Sequence, residues 1–429
     1  MKAVKFGGSS LCDARAIQRA EKIIRADSER KFVTVSAPGK RYADDEKITD
    51  MLYGCFGSSG DEFLYGLQKI KARFDGIISD LSIDLSLDED FSEMICGRKN
   101  YFGRDYFASR GEYFCAKIVA ACLGFDFVDA SELIYFDERG NFLSGRTGIA
   151  AREKLSAHKC AVVPGFYGSM PGGTIKTFSR GGSDITGAIV AAATDADVYE
   201  NWTDVAGFMA ADPKTVDNPK KIDIITYKEL RRLSYMGAGV LHEDAVLPLR
   251  EAGIPVIIKS TLNPCDEGTL VVEKRTEVGA KVCGIAGRDG FLTVFVGKNR
   301  IGSETGIIMN VLDIFSRRGI TVFGMYSGID CVGFAVRQDE FLSRADYIRS
   351  EICQFTDPDY VTLGEPCALI VIVGASPVEL LPQIFSAVRD VGARVLCIDS
   401  GSGDDGVTIG VPEKMLSPVI ISLYINLIK

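Results

Sequence analysis

Two glycine-rich segments in the N-terminal half of the chain contain residue types that bind anions. The first, Lys5–Ser10 (KFGGSS), follows a short β-branched run, and the second, Ser179–Asp184 (SRGGSD), precedes a helix of small residues. Glycine lets backbone N–H groups approach a phosphate, and a neighbouring lysine adds a point charge. In the second segment an arginine at a helix N-terminus can pair with a carboxylate through two hydrogen bonds. Together the two segments indicate an anion-binding site, with phosphate favoured at the first.

Each of these segments also has a plain structural interpretation. The lysine of Lys5–Ser10 precedes its glycines, so the segment is neither a P-loop nor the GxGxxG turn of a dinucleotide-binding fold. Taken alone, it fits a tight strand-to-helix connection, and Ser179–Asp184 fits an Asp or Ser helix cap. Two such loops in one domain favour the functional interpretation over the structural one.

A third cluster follows another predicted strand, at Asn201–Gly207 (NWTDVAG) and Ala211–Lys214 (ADPK). Open α/β sheets bind ligands beyond the ends of their strands, which is where this cluster lies. Trp202, the only tryptophan, is predicted to belong to the core or to a wall. Glu112, the acid of an Arg-Gly-Glu helix start, fits equally well as a first-turn acid that complements the helix dipole and as a ligand for a substrate ammonium.

Cysteine and histidine usage excludes several classes of site. The chain has 12 cysteines without a CxxC pair and only two histidines, His158 and His242. This spacing fits neither a disulfide framework nor a zinc site, so we expect reduced thiols and no protein-bound metal. A hydrolase that depends on an imidazole base is equally disfavoured.

Composition predicts a packed, enzyme-like protein. At roughly 150 residues per domain, 429 residues predict two to three domains. With 46% hydrophobic and 25% charged residues and a net charge of −9, the chain is globular and lacks the basic surface that nucleic acid or an anionic membrane requires. The N-terminus has no apolar signal core and no segment has 18 consecutive apolar residues, so we expect a cytoplasmic protein.

The elements that must position these residues follow the rhythm of a parallel α/β sheet through the first 260 residues or so. A helix is predicted over Asp13–Ala26, and a mostly helical region over Asp61–Ala121. The predicted strands are Ala3–Phe6, Phe32–Ser36, Ala161–Pro164, Asp197–Asn201 and Pro255–Lys259. A charged, turn-rich stretch at Pro264–Val282 predicts a domain boundary near residue 275.

Beyond that boundary the chain repeats itself weakly. Phe291–Gly297 (FLTVFVG) is similar to Ala368–Gly374 (ALIVIVG), and the stretches that begin at Ile314 and Ile384 are similar too, at an offset of about 75 residues. Each copy is predicted to form strand, helix and strand, so we expect two small α+β modules. They fit a dimerisation role or a site for an effector between them.

The ordered set of motifs closely resembles that of the aspartokinases, members of the amino acid kinase family. The motifs that carry the resemblance are KFGGSS at Lys5–Ser10, SRGEYFCA at Ser109–Ala116, SRGGSD at Ser179–Asp184, WTDVAGFMAADPK at Trp202–Lys214 and VLH at Val240–His242. The two C-terminal modules look like the tandem ACT domains of that family. The resemblance spans nearly the whole chain.

The resemblance implies a fold class and an activity. The fold is α/β, an amino acid kinase-type parallel-sheet sandwich over residues 1–275, followed by two α+β ferredoxin-like ACT modules over 283–350 and 351–417. The last run, 418–429, is expected to be a strand that completes the first module. The implied activity is ATP-dependent phosphorylation of the β-carboxylate of L-aspartate, the first step of lysine, threonine and methionine biosynthesis. Another acid kinase of this fold, acting on glutamate or acetylglutamate, and a non-catalytic amino-acid sensor are the alternatives.

The resemblance also implies roles for individual residues. Lys5 and Asp184 correspond to catalytic residues, and Mg²⁺ would arrive with ATP. The remaining nucleotide-binding positions are Phe6, Gly7, Gly8, Ser9, Thr203, Asp204, Met209 and Lys214. The substrate-binding positions are Ser36, Thr49, Glu112, Arg180 and Ser183.

A feedback effector, lysine or threonine, is expected at the first module, and pairing of the ACT modules implies a homodimer or homotetramer. The candidate effector positions are Ser303, Glu304, Thr305, Gly306, Ile307, Met325 and Ser327. The sequence departs from the family pattern at Gly239, where a lysine is usual, at Met209, and at Lys214, which keeps the charge of the usual arginine but not its planar fork.

Overall fold

The computed structural model describes residues 1–97, 103–179, 181–205, 207–237, 243–275, 282–301, 304–374, 377–400 and 406–429. They form two compact units. The first comprises Met1–Phe208, Asp223–Tyr227 and Val240–Lys274, and the second comprises Met209–Ile222, Lys228–Gly239 and Arg275–Lys429. The second unit therefore includes two segments that precede residue 275.

The first unit is built on an eight-stranded sheet with strand order β3-β4-β2-β1-β7-β9-β10-β8. Its strands are β1 (Lys2–Phe6), β2 (Arg30–Val35), β3 (Asp126–Phe127), β4 (Ala161–Pro164), β7 (Val198–Thr203), β8 (Ile224–Thr226), β9 (Val256–Ser260) and β10 (Thr269–Val272). The six strands from β3 to β9 in this order are parallel, and β10 runs antiparallel to β9. A separate hairpin pairs β5 (Tyr167–Ser169) with β6 (Ile175–Thr177).

Helices cover this sheet. They are α1 (Ala14–Arg25), α2 (Ile48–Gly57), α3 (Gly60–Leu81), α4 (Asp88–Gly97), α5 (Arg104–Leu123), α6 (Ser144–Ser156), α7 (Gly182–Ala193) and α9 (Glu243–Glu251). The start of α1 follows from its sequence, because the carboxylate of Asp13 accepts the Ala16 N–H at 2.8 Å and so caps the first turn.

The central strand β1 positions a lysine on one face and core residues on the other. Val4 and Phe6 belong to the apolar cluster that also contains residues of α1, α3 and α5. Because side chains alternate along a strand, Lys5 faces the opposite side, toward α7. Phe6 is in register with Val35 of β2 and Trp202 of β7, so three strands end at one level and their following loops meet at one edge.

The second unit contains an antiparallel sheet with strand order β12-β13-β11-β15-β17-β16, and β14 also pairs with β11. Its strands are β11 (Gly284–Gly297), β12 (Val322–Ser327), β13 (Cys331–Arg337), β14 (Tyr360–Leu363), β15 (Cys367–Val373), β16 (Cys397–Asp399) and β17 (Gly406–Pro412). Its helices are α8 (Tyr227–Tyr235), which begins one residue before the unit, α10 (Thr305–Arg317), α11 (Gln338–Phe341), α12 (Ala345–Thr356), α13 (Leu381–Asp390) and α14 (Leu416–Leu427).

The long strand β11 belongs to both modules. Its second half, Phe291–Gly297, pairs with β13 and β14, whereas Gly284–Arg288 pairs with β15. Residues of α10, α12 and β14 share one buried core with this second half. The first module therefore runs in the order β11, α10, β12, β13, α11, α12, β14 and extends to Leu363, so the predicted boundary at residue 350 is wrong because it falls inside α12.

The C-terminal segment differs from the sequence-based expectation. Residues 416–427 form helix α14, not a strand, with Val419, Ile420, Leu423 and Tyr424 buried at helical spacing. This helix packs on α13, β11 and β15, which places it in the second module. The prediction that 418–429 completes the first module is wrong, because β14 already occupies that edge of β11. Among the described helices, none is long and apolar enough to cross a membrane.

Candidate active site

The ammonium of Lys5 and the carboxylate of Asp184 form a close ion pair at the end of the central strand. Lys5 Nζ lies 2.5 Å from Asp184 Oδ1, and the two side chains are only 9% and 14% exposed. Asp184 lies in the first turn of α7, whose N-cap, Gly181, has φ +60°, a conformation that glycine adopts without strain. The structure thus brings together residues that are 179 positions apart and that the sequence placed in two separate loops.

The glycine loop after β1 is held by backbone contacts from strand β7 and from the loop after β2. The Gly7 N–H donates to the Trp202 carbonyl at 3.0 Å, and the Gly39 N–H donates to the Gly8 carbonyl at 2.8 Å. A Cβ atom on Gly8 would lie 2.7 Å from the Ala37 carbonyl oxygen, so a larger residue would displace the loop. Gly7 also approaches the lysine, since its Cβ position is 3.9 Å from Lys5 Nζ.

The ends of β7 and β9 complete this edge. The Thr261 N–H donates to the Thr203 carbonyl at 2.8 Å, and the hydroxyls of Thr261 and Ser10 are 3.1 Å apart. The Thr203 hydroxyl donates to Asp204 Oδ1 at 3.1 Å, and Asp204 is exposed. Thr203, Asp204, Gly7, Gly8 and the exposed Ser9 therefore lie around one strand-end edge, where parallel α/β sheets bind ligands.

Three other predicted nucleotide positions, Phe6, Met209 and Lys214, do not belong to this group of residues at the strand-end edge. The Phe6 side chain is fully buried and stacks on Trp202, with ring centroids 6.0 Å apart and planes 11° apart, so only its backbone faces the loop. Met209 and Lys214 lie in the second unit. Met209 pairs with Lys221 in an isolated bridge, and Lys214 is exposed with its N–H on Asp212 Oδ1 at 2.9 Å.

Two of the predicted substrate positions, Ser36 and Ser183, lie beside the loops that follow β2 and β4. The Ser36 N–H donates to the Phe6 carbonyl at 3.2 Å. Gly111 packs against this loop, since its Cβ position is 2.8 Å from the Ala37 Cβ. Ser183, at the start of α7, is so close to Gly165 that a Cβ there would lie 2.6 Å from the Ser183 Cβ.

The structure says less about two further predicted substrate positions, Thr49 and Arg180. Thr49 is half-buried in the first turn of α2, next to Ile48, which lies against Gly111. Arg180 lies outside the described residues, as do Gly239 and the VLH segment at 240–242. Their roles stay predictions.

Glu112 is a buried carboxylate in helix α5. The residue is 5% exposed, and its Oε2 has no hydrogen-bond partner among the residues that the structure describes. Burial raises the pKa of Glu112 to about 8, partly offset by hydrogen bonding with the backbone of Ala37 and of Glu112 itself. Helix α5 begins at Arg104, so Glu112 lies well inside the helix and the prediction of a first-turn acid is wrong. A buried carboxyl without a charged partner among the described residues fits a ligand for a cationic group.

Sequence reasoning missed Gly39 and Thr261, which support the glycine loop. Gly39 belongs to an Ala-Pro-Gly turn after a predicted strand, and Thr261 follows the predicted strand Pro255–Lys259. Because the carboxyl ends of parallel strands meet at one edge, residues that directly follow each predicted strand were the available signal. Within the described ranges, no group of three or more His, Cys, Asp or Glu side chains is placed to hold a metal ion.

The first module of the second unit contains a cavity of about 340 Å³ between the start of α10 and the end of α12. Its lining residues are Lys298, Glu304, Gly306, Ile307, Asn310, Gln354, Phe355, Thr356 and Asp357. Lys298 Nζ lies 3.3 Å from Glu304 Oε2 and donates to the Thr356 carbonyl at 3.2 Å.

Three of the predicted effector residues, Glu304, Gly306 and Ile307, line this cavity, whereas Met325 and Ser327 lie on strand β12 and do not. Ser303 and the side chain of Thr305 lie outside the described residues.

Comparison with known proteins shows the family of the chain. Residues 1–260 match the profile of the amino acid kinase family. Aspartokinase 3 of Bacillus subtilis is 34% identical, over 99% of this chain and 98% of that protein. The lysine-sensitive aspartokinase 3 of Escherichia coli is 25% identical, over 99% of this chain and 98% of that protein. The crystal structure of Clostridium acetobutylicum aspartate kinase covers 100% of both chains, with a TM-score of 0.91 and 38% identity. The chain therefore belongs to the amino acid kinase family and, within it, to the aspartokinases.

Proposed function

We propose that this protein transfers the γ-phosphoryl group of ATP to the β-carboxylate of L-aspartate, which yields 4-phospho-L-aspartate and ADP. The observation that carries the proposal is the close, nearly buried pair of Lys5 Nζ and Asp184 Oδ1 beside the Gly7–Gly8 loop. The similarity to aspartokinases over nearly the whole chain supports the same reaction.

The nucleophile needs no general base. An aspartate side chain with an ordinary pKa of about 3.9 is ionised to about 99.9% at pH 7. One of its oxygens attacks the γ-phosphorus, the bond from that phosphorus to the β,γ-bridging oxygen breaks, and its electron pair leaves with ADP. The site then has two tasks, to align the reactants and to neutralise charge on the transferred group.

Lys5 performs the second task in this proposal. Among the described residues its ammonium has one close acidic partner, Asp184, and it lies next to the Gly7 position of the phosphate loop. Asp184 holds the ammonium in place before ATP binds. Because the pair is largely removed from water, the charge of the lysine acts on the phosphoryl group with little dielectric screening. Mg²⁺, bound with ATP as part of the substrate, neutralises further charge on the phosphates.

Backbone and side-chain groups orient the two substrates. We assign the β- and γ-phosphates to the Gly7–Ser9 loop, and the remainder of the nucleotide to the side of the site that Thr203 and Asp204 form. Met209 and Lys214 are retained as further nucleotide contacts on the strength of the family resemblance.

We assign the amino acid substrate to the predicted substrate positions. Glu112 takes its ammonium, because it is a buried carboxylate without a charged partner among the described residues. Arg180 pairs with its α-carboxylate, while Ser36, Thr49 and Ser183 donate the remaining hydrogen bonds. These assignments rest on the resemblance and on the position of Glu112 and Ser183 beside the loops after β2 and β4.

We further propose feedback inhibition by an end-product amino acid at the first module, with lysine as the first choice of effector. The cavity beside α10 offers carboxylates at Glu304 and Asp357 for an ammonium and helix N–H groups for a carboxylate. One relative, from Escherichia coli, is itself lysine-sensitive. Copies of the chain are proposed to pair through these modules into a homodimer or homotetramer.

A single assay tests the proposed activity against its alternatives. ADP release is measured with MgATP and, in parallel, L-aspartate, L-glutamate or N-acetyl-L-glutamate, each with and without lysine and threonine. If only aspartate among the three acids gives ADP release, and lysine inhibits this release, the result supports both the proposed reaction and the proposed feedback inhibition. Turnover of one of the other acids would instead indicate a different kinase of this fold. ATP binding measured by calorimetry without turnover of any of these acids would indicate another substrate for this fold, whereas no ATP binding would indicate an amino-acid sensor.

A further inference from the structure

Helix α3 places a buried arginine against the loop that follows β2. The side chain of Arg73 is only 6% exposed. Its Nη2 donates to the Gly39 carbonyl at 2.5 Å and its Nη1 donates to the Glu46 carbonyl at 2.9 Å, so the two arms hold opposite ends of the segment 39–46. Nη2 also lies 3.5 Å from the carbonyl of Cys12, which precedes the N-cap of helix α1.

Arg73 shares an acid of the same loop, Asp45, with a second arginine, Arg41. Asp45, 7% exposed, lies 3.5 Å from Arg73 Nη2 and makes a two-armed contact with Arg41 at 2.8 Å. The hydrogen bonds from Arg41 hold the pKa of Asp45 well below its usual range. Burial lowers the pKa of Arg73, but an arginine stays charged at physiological pH.

Gly39 links this arginine to the phosphate loop. Its N–H donates to the Gly8 carbonyl at 2.8 Å, and a Cβ on Gly39 would lie 2.8 Å from the Gly8 carbonyl carbon, so the two backbones are in direct contact. In a planar trans peptide the C=O and N–H groups point in opposite directions. With the Gly8 carbonyl held by Gly39, the Ser9 N–H of the same peptide points away from the Gly39 N–H, and Ser9 itself is exposed.

We propose that Arg73 is a positioning residue for ATP, which acts through Gly39 on the Gly8–Ser9 peptide. The proposal rests on the assignment of the Gly7–Ser9 loop to the phosphates. The arginine fork spans the Gly39 and Glu46 carbonyls and so fixes the position of Gly39 from its carbonyl side. The N–H of Gly39, in the preceding peptide, then holds the Gly8 carbonyl and orients the donor that Ser9 offers to a phosphate oxygen. A lysine at this position supplies one point charge and cannot hold both carbonyls in a fixed plane.

The test separates positioning from a general structural role. KM for ATP, KM for aspartate, kcat and melting temperature are measured for Arg73→Ala and Arg73→Lys. Loss of a charge-assisted hydrogen bond is expected to raise KM for ATP about 10- to 100-fold in Arg73→Ala, with KM for aspartate changed less than about twofold. Arg73→Lys keeps the buried charge, so we expect a folded protein with an intermediate KM for ATP.

Phe74→Leu is the matched control for lost stability. Phe74 is the next residue of the same helix, fully buried, and packs on Phe114 at a centroid distance of 5.3 Å, away from the loop. The substitution Phe74→Leu is expected to lower the melting temperature and to leave KM for ATP unchanged. Added guanidinium at millimolar concentration is expected to restore part of the ATP affinity of Arg73→Ala. Equal effects of Arg73→Ala and Phe74→Leu on KM for ATP would overturn the proposal.

A second pair of variants tests the assignment of the phosphate loop separately. Gly8→Ala brings a Cβ to 2.7 Å from the Ala37 carbonyl and is expected to raise KM for ATP, whereas Gly57→Ala meets nothing within 4 Å and is the control. If Gly8→Ala left KM for ATP unchanged, the loop assignment would fail and the role of Arg73 with it. If Gly8→Ala raised KM and both Arg73 variants kept the wild-type value, the role of Arg73 alone would be refuted.

Discussion

The buried carboxyl of Glu112 makes the affinity for aspartate dependent on pH. Burial raises the pKa of Glu112 to about 8, so about 90% of this group is protonated at pH 7 in the free enzyme. Only the ionised carboxylate pairs with the ammonium of the amino acid. The apparent KM for aspartate is therefore multiplied by a factor of 1 + 10^(pKa − pH), where the pKa is that of Glu112.

The size of the effect follows from this factor. With a pKa of about 8, the factor is about 30 at pH 6.5 and about 1.3 at pH 8.5, so KM for aspartate is expected to fall about 25-fold over this range. At pH 7 the expected penalty in KM is about tenfold. The Cys115 thiol one helical turn away does not contribute, because burial raises its pKa far above this range.

The assay is the initial rate of ADP release at saturating MgATP, with aspartate varied between about pH 6.5 and pH 8.5. KM for ATP over the same range is the internal control. Glu112→Gln keeps the shape of the side chain, so we expect KM for aspartate to rise about 10- to 100-fold and to lose its pH dependence. A flat KM in the wild type, or the same slope in Glu112→Gln, would refute the assignment of Glu112 to the ammonium.

As pH rises, the affinity for aspartate is expected to increase, whereas the stability of the folded protein is expected to decrease. The folded protein retains the Glu112 proton up to about pH 8, whereas the unfolded chain releases it near its ordinary value of 4.5. The contribution of Glu112 to stability is thus fully present below its pKa in the unfolded chain and is lost as pH rises through its pKa in the folded protein. Glu112→Gln is expected to melt at a higher temperature than the wild type at pH 8.5, although it binds aspartate less tightly.

Three further predictions follow from the site and the cavity. Lys5→Met should lower kcat about 10²- to 10³-fold, because it removes the charge that neutralises the transferred group, with the calorimetric Kd for ADP nearly unchanged; wild-type turnover would contradict its role. Gly165→Ala should raise KM for aspartate, because its Cβ would lie 2.6 Å from the Ser183 Cβ, whereas Gly145→Ala meets nothing within 4 Å and should behave as wild type. Glu304→Gln should raise the lysine concentration for half-inhibition about tenfold, through loss of a charge-assisted contact at the cavity, with kcat unchanged; an identical inhibition curve would place the effector elsewhere.

Much of the first unit was predictable from local patterns. The β-branched runs and the helical spacing of apolar residues correctly placed β1, α1, β2, β4, β7 and β9, because short buried strands and amphipathic helices leave different periodicities. Lys5 and Asp184, which form an ion pair, come from the two glycine-rich segments that the sequence analysis predicts to bind anions. Parallel sheet topology accounts for their meeting at one edge.

Other features depended on contacts that a linear pattern does not encode. The run 416–427 is apolar on most of its length, so its helix could not be distinguished from a buried strand by periodicity alone. The contact of Arg73 with the Gly39 carbonyl spans 34 positions and involves a backbone atom, for which side-chain types leave no signal. Phe6 adjoins the phosphate loop in sequence, but strand alternation directs its ring into the core.

Trapping of the product with hydroxylamine tests the central claim most directly. Hydroxylamine converts an acyl phosphate to a hydroxamate, so the assay reports the new bond between the side-chain carboxylate and phosphorus. With MgATP, we expect β-aspartyl hydroxamate from L-aspartate and none from L-glutamate, and no product without ATP. A sample that binds ATP but forms no hydroxamate from aspartate, or that forms it from glutamate instead, would contradict the assignment of this site to aspartate phosphorylation.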